Sequence, residues 1–244
     1  MIMQPEKGHF YAVGVGPGAP DLITLRAARL IEDCDVVVAP RSNRSEESLA
    51  LRIAAAHIKG QEVLEQVYPM VRDQERTRAV WAEVAEWILL RLEAGKSVVQ
   101  ITLGDPLIYS TSAYLLEALA ARVSPDRLHI VPGISAMQAA AASFGLPLTL
   151  QEDRLTLMPA TDLAAVSEAL DHAETLALYK VGGNLTALRE LLKAKGLLEC
   201  SRLAYAVEQE GREQLFSDLN EVDASLGYMS AVLVHKAHKP WASA

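Results

Sequence analysis

The sequence predicts an α/β protein of two domains, with a mainly parallel sheet in the N-terminal one and a mixed sheet in the C-terminal one. Strand-like and helix-like segments alternate through the first part of the chain, the pattern of a parallel sheet with crossover helices. Past Gly145-Leu146-Pro147 the strand-like runs come closer together and helical spacing becomes rarer. Glycine-bearing turns directly follow apolar strands of the first part, at the edge where open α/β sheets hold their ligands. The boundary is expected near residue 147, giving domains 1–147 and 148–244.

Phe10 to Val15 reads as a short apolar strand, followed by a glycine turn and a helix from about Leu22 to Glu32. Asp35 to Ala39 is a second strand, which Pro40 ends. A long helix runs from about Asp73 to Ala94. Val80, Val84, Trp87, Ile88 and the Arg91 stem share one face of it, Trp81 borders that face, and Gly95 closes the helix. Val98 to Leu103 is a third strand, Ser112 to Arg122 a helix, Leu128 to Val131 a fourth strand and Ser135 to Phe144 an alanine-rich helix. C-terminal strands are expected at Arg154 to Met158, Thr175 to Tyr179, Ser201 to Glu208, Glu213 to Ser217 and Tyr228 to His235. Helices lie near Asp162 to Ala169 and Leu185 to Lys195, and the runs around Glu210-Gly211 read as a hairpin.

Composition narrows the function. Half of the 244 residues are hydrophobic and 22% are charged, an ordinary globular balance. The net charge is −8 and no lysine or arginine run is present, which speaks against nucleic acid or acidic lipid as a partner. No apolar stretch is long enough to span a membrane, and Met1 to Lys7 lack the features of a signal peptide, so the cytoplasm is the expected compartment. Cys34 and Cys200 form no CxxC pair and read as packing residues of a reduced protein. The six histidines give no HxH or HExxH pattern, His235 and His238 read as tail residues, and no protein-bound metal is expected. No G-x-S-x-G supports serine-nucleophile chemistry.

Gly14-Val15-Gly16-Pro17-Gly18-Ala19 satisfies the G-x-G-x-x-G/A dinucleotide fingerprint between a strand and a helix. Two features oppose that reading. Pro17 and Pro20 each remove a backbone N–H from the region that would cradle a pyrophosphate. The second strand ends in Ala39-Pro40-Arg41, without the acidic residue that would hold a ribose, although Arg41 leaves NADP open. A tight turn without any ligand is the plainer alternative; close backbone approach to a bulky flat ligand fits the glycines and prolines better than phosphate does.

The third strand runs directly into Gly104-Asp105-Pro106, so Asp105 stands at the carboxyl edge of the sheet. Its carboxylate suits ligand hydroxyls or a cationic group, while Ser110, Thr111 and Ser112 supply hydroxyls and a helix cap. An isolated G-D-P would be only a turn. Here three turns stand in order: Gly14-Val15-Gly16-Pro17-Gly18 with Asp21-Leu22-Ile23-Thr24-Leu25-Arg26-Ala27, then Gly104-Asp105-Pro106-Leu107-Ile108-Tyr109-Ser110, then Val131-Pro132-Gly133-Ile134-Ser135-Ala136. In this the chain resembles the tetrapyrrole methyltransferases. The likeness continues through Leu178-Tyr179-Lys180-Val181-Gly182, Val207-Glu208 and Ala231-Val232-Leu233-Val234. Tyr68-Pro69-Met70 and Tyr109-Ser110 resemble the branch that methylates C20 of precorrin-2 or cobalt-factor II.

The resemblance implies the two-domain tetrapyrrole methylase fold, with S-adenosylmethionine (SAM) folded in a cleft between the domains. It implies SAM contacts at Gly104, Asp105, Ile108, Ser135, Ala136, Tyr179, Lys180, Val181 and Glu208. Tyr179 and Lys180 stand where the family usually offers a methionine. Gly16, Pro17 and Gly18 would line the tetrapyrrole entrance, with Arg41 and Arg44 as partners for substrate carboxylates. Related uroporphyrinogen methylases carry an aspartate where this chain has Pro40, which argues against that reaction. Asp105 and Tyr109 are the candidates for a polar catalytic contribution. The resemblance implies a homodimer with a tetrapyrrole substrate that itself brings any cobalt, in cobalamin biosynthesis. The rival readings are methylation at another ring position, an NADP-dependent oxidoreductase built on Gly14 to Ala19, and a non-catalytic tetrapyrrole binder.

Overall fold

The computed structural model describes residues 4–42, 47–68, 74–237 and 241, and among these ten strands form two five-stranded sheets. The chain divides into two compact units, Met1–Ser135 and Ala136–Ala244.

In the first unit the strands are β1 (Phe10–Gly14), β2 (Val36–Ser42), β3 (Glu62–Tyr68), β4 (Val98–Thr102) and β5 (Leu128–Val131), in the order β3-β2-β4-β1-β5. Every pairing is parallel. The helices are α1 (Leu25–Asp33), α2 (Leu49–Ala54), α3 (Gln74–Glu93) and α4 (Ser112–Ala120). Successive strand residues point to opposite faces, and both faces are covered. Tyr11, Val13, Val37, Val99 and Ile101 pack with Ala27, Leu30 and Ile31 of α1 and Ala50 and Ile53 of α2. Phe10, Ala12, Val36, Val38 and Val98 pack with Val84, Ile88 and Leu92 of α3 and Leu115 and Leu119 of α4. This double covering explains why β1 and β4 read as unbroken apolar runs. Thr24 starts α1 by accepting the Ala27 N–H at 3.2 Å, a cap worth about 1 kcal/mol.

Three sequence expectations change here. β2 does not stop at Pro40 but runs on to Ser42, paired with β3. Its pairing with β4 ends at Val38, and the Pro40 carbonyl accepts the Ser48 hydroxyl at 2.8 Å, so the missing proline N–H costs the β2–β4 ladder nothing. β3 and α2 lie where no element was expected; β3 is an edge strand that carries Glu62, Glu65 and Gln66 among its apolar residues, and charge on an edge is a common protection against edge pairing. Trp81, expected only to border its helix face, is 3% exposed and lies within the α3 core, while Trp87 carries the Arg91 guanidinium 3.7 Å above its ring. Pro69 and Met70 lie outside the described residues, as does His238.

The second unit holds α5 (Ala136–Ser143), β6 (Leu155–Pro159), α6 (Leu163–His172), β7 (Thr175–Tyr179), α7 (Leu185–Ala194), β8 (Ser201–Tyr205), β9 (Gln214–Phe216) and β10 (Ser230–His235). Its sheet order is β6-β7-β10-β8-β9. β6 and β7 are parallel and the remaining pairs antiparallel, the mixed sheet that the close strand spacing predicted. β8 and β9 form the expected hairpin. The compact unit begins at Ala136, ahead of residue 147, because α5 belongs to it: Ala139, Ala140, Ala141 and Phe144 pack on Ala177 of β7, Ala204 of β8 and Leu233 of β10. Alanine on both sides lets helix and sheet approach closely. His235 is no tail residue; it ends β10, is 3% exposed and pairs with Thr175.

Candidate functional site

β4, β1 and β5 are neighbours, so the turns that follow them leave the sheet side by side. Gly14 lies opposite Thr102 and Val13 opposite Val131, which brings Gly14, Gly104 and Gly133 to one level. Gly104 N–H donates to the Gly16 carbonyl at 2.7 Å, and Gly16 N–H donates to the Gly104 carbonyl at 3.3 Å. A Cβ on Gly14 would stand 2.3 Å from the Gly104 oxygen and one on Gly133 only 2.2 Å from it. The Gly104 carbonyl therefore fits only between two glycines. Three main-chain segments thus approach one another closely around the first glycine turn. Gly16 and Pro17 are buried and Gly18 is half-buried.

Asp105 links two of these turns. One carboxylate oxygen accepts the Leu107 N–H at 2.8 Å, and the other accepts the Gly133 N–H at 3.0 Å. Beyond it Tyr109 takes a left-handed backbone, φ 48°, with its side chain 43% exposed. Partial burial pushes the Tyr109 hydroxyl above its ordinary pKa, so it stays protonated at neutral pH. Ser110 then anchors the segment, its hydroxyl 3.0 Å from Thr102 Oγ1 and 3.1 Å from Ser112 Oγ. Ser112, expected to cap the helix, is instead its first residue and donates its hydroxyl to Gln100 Oε1 at 2.7 Å; the Ser112 N–H goes to Ser110 Oγ. Gln100 and Thr102 are polar, buried and central to this network. The signal for them was a glutamine and a threonine inside an otherwise apolar strand.

In the second unit Tyr179 ends β7, and its hydroxyl accepts the Met137 N–H at 2.8 Å, satisfying an amide in the first turn of α5. Lys180 is exposed with φ 56°, and Val181 is fully buried. Glu208 has φ 62° and donates its N–H to Glu213 at 2.8 Å. Among the described residues, the non-glycine positions at positive φ are Tyr109, Lys180, Ala206, Glu208 and Gln151. Three of these are expected site residues and Ala206 lies beside a fourth segment member, Val207; strained backbone gathers at sites that need a fixed geometry. Ser135 is buried at the end of the first unit, and Ala136 opens α5. Arg41, on β2, faces Glu65 of β3 at 3.5 Å with 30% of its side chain exposed. Arg44 lies outside the described residues.

An open parallel sheet whose glycine turns meet at the carboxyl ends of its strands is the arrangement in which α/β proteins hold small-molecule ligands. Residues 9–220 match the family described as Tetrapyrrole (Corrin/Porphyrin) Methylases, and the chain belongs to that family. It is 39% identical over 94% of its length to the cobalt-precorrin-2 C(20)-methyltransferase of Salmonella typhimurium, covering 97% of that protein. It is 29% identical over 93% of its length to the precorrin-2 C(20)-methyltransferase of a Sinorhizobium species, covering 95% of it. Among solved structures, a cobalt precorrin-4 methyltransferase shares the fold with a TM-score of 0.72 at 21% identity, over 93% of this chain and 95% of that one. A uroporphyrin-III C-methyltransferase from Thermus thermophilus, solved with S-adenyl homocysteine, shares it at 0.64 and 21%, over 93% of this chain and 97% of that one. The family and fold expected from the three turns are borne out, and the dinucleotide reading of Gly14 to Ala19 gives way to the family's own glycine turn.

Proposed function

We propose that this chain transfers a methyl group from SAM to C20 of cobalt-precorrin-2, a step of cobalamin biosynthesis. The observation that carries the reading is the 39% identity to the Salmonella enzyme along nearly the whole of both chains. The lower identity to the relative named for precorrin-2, 29% against 39%, supports the cobalt-bearing substrate. Any cobalt then belongs to the substrate.

The residues suit SAM. Gly104 is held at φ +69°, and a Cβ there would meet only Ile134 O and Ser135 Cα, at 3.9 and 4.0 Å, so that side of the turn is loosely packed. Gly104, Asp105, Ile108 and Ser135 of the first unit and Ala136, Tyr179, Lys180, Val181 and Glu208 of the second are the proposed SAM segment residues. SAM supplies an electrophilic methyl group, so the protein's task is alignment and exclusion of water. Tyr109, protonated and partly exposed, offers a hydroxyl to the tetrapyrrole. Tyr109→Phe is expected to lower kcat/KM about tenfold, the loss of one hydrogen bond. Gly16, Pro17 and Gly18 line the proposed tetrapyrrole side, where Arg41 would exchange Glu65 for a substrate carboxylate and Arg44 would add a second guanidinium.

We also propose a homodimer in the cytoplasm. No helix of the described residues is long and apolar enough to cross a membrane, and light scattering tests the dimer. Incubation with methyl-labelled SAM and either cobalt-precorrin-2 or precorrin-2, with the product examined by NMR, tests the reaction. Label at C20 is expected, with the cobalt substrate preferred. Label at another ring position would contradict the assignment.

A further inference from the structure

We infer that Asp105 is a positioning residue: it clamps the turn after β4 to the turn after β5, and does not exchange a proton with the substrate. The methyltransferase reading supplies the identity of the ligand; the clamp rests on geometry alone. Both carboxylate oxygens are directed at main-chain amides, one of Leu107 within its own turn and one of Gly133 in the neighbouring turn, 28 residues away. These two bonds fix the orientation of the carboxylate within the turn, the part of a positioning group, and a pH profile separates that part from a general base's.

The need for such a clamp follows from the glycines. The Gly104 carbonyl sits between Gly14 and Gly133, neither of which has a side chain to interlock with its neighbours. Backbone bonds between Gly16 and Gly104 tie the first turn to the second. Asp105 ties the second to the third. The same bond fixes the distance between Gly104 to Ile108 and Ile134-Ser135, two segments proposed to hold SAM. The far end of the β4 turn is fixed separately by Ser110 on Thr102, so Asp105 governs the glycine end.

The test uses Asp105→Asn, which keeps one acceptor oxygen but presents an amide where Gly133 donates, and Asp105→Ala, which removes both acceptors. In the ligand-free protein, exchange of the Gly133 amide should be slow in the wild type and at least about tenfold faster in D105A. S-adenosylhomocysteine binding, measured by calorimetry, should weaken about tenfold or more in D105A and less in D105N. In turnover, KM for SAM should rise while kcat at saturating SAM stays within about threefold, with a pH profile of unchanged shape. Unchanged affinity in D105A would overturn the clamp, as would a D105N enzyme whose kcat collapses and whose pH profile loses a limb at constant KM. A wild type that binds no S-adenosylhomocysteine, but whose Gly133 amide still depends on Asp105, would sink the methyltransferase reading and leave the clamp standing.

Discussion

The two ends of the first sheet are closed by opposite means. At the amino ends of its strands, side chains hold the loops: Arg127 donates to the Gly8 carbonyl from Nε at 2.8 Å and from its terminal nitrogen at 2.5 Å. Asp35 accepts both the Ser97 N–H and the Ser97 hydroxyl at 2.8 Å. His9 and His129 stack with a 2.9 Å contact between ring nitrogens, and Tyr11 stacks on His129 in turn. At the carboxyl ends, glycine main chain packs on glycine main chain, and a carboxylate bridges two turns. The first arrangement fills space with side chains. The second leaves backbone and an exposed tyrosine beside the turns. The proposed ligand site lies at the second, so that one sheet would be anchored at one end and functional at the other.

Substitutions at the two ends should separate stability from binding. The largest effect is expected for Gly133→Ala, whose Cβ would stand 2.2 Å from the Gly104 oxygen; the turns must part, at a cost of about 3 kcal/mol, and S-adenosylhomocysteine binding should vanish. Urea unfolding and calorimetry measure the two together. Arg127→Ala removes two charge-assisted bonds to Gly8 and should cost about 1.5–3 kcal/mol of stability with affinity unchanged. An effect of that variant on binding would mean that the amino end of the sheet also shapes the site.

The histidine pair gives a smaller, pH-dependent effect. Burial first, and then the neighbouring His9, hold the His129 pKa below its ordinary 6.5. The fold favours neutral His129, so this contribution is complete above 6.5 and is lost as pH falls through the lower folded value. Melting temperature should decline on acidification below about pH 6.5, and His129→Gln should flatten that part of the curve. A His129→Gln curve as steep as the wild type's would refute the assignment. The smallest effect is at Cys34, whose thiol burial pushes up to about 12. It should not react with a disulfide reagent in the native protein at pH 8 and should react once unfolded.

Much of this was legible in sequence because the local signals were strong. β7 spans Thr175–Tyr179 as its apolar run indicated, and the three turns were visible as glycine and proline clusters after apolar strands. What escaped was either weak locally or long-range. β3 is an edge strand with no clean alternation, and Pro40 reads as a strand end unless its partners are known. Trp81 joins the core through tertiary packing that a helical wheel alone does not reveal. Asp105 could be placed at a site from sequence, but its engagement by Gly133 depends on β5 lying beside β1, a fact of topology.

Backbone amide shift mapping during titration with S-adenosylhomocysteine would locate the ligand at one end of the first sheet or the other. Saturable shifts are expected at Gly104, Ile108, Gly133 and Ser135, with Gly8, Ser97 and His129 at the opposite end of the sheet unmoved. Shifts confined to the amino-end residues, or saturable shifts at the glycine turns with NADPH and none with S-adenosylhomocysteine, would contradict it.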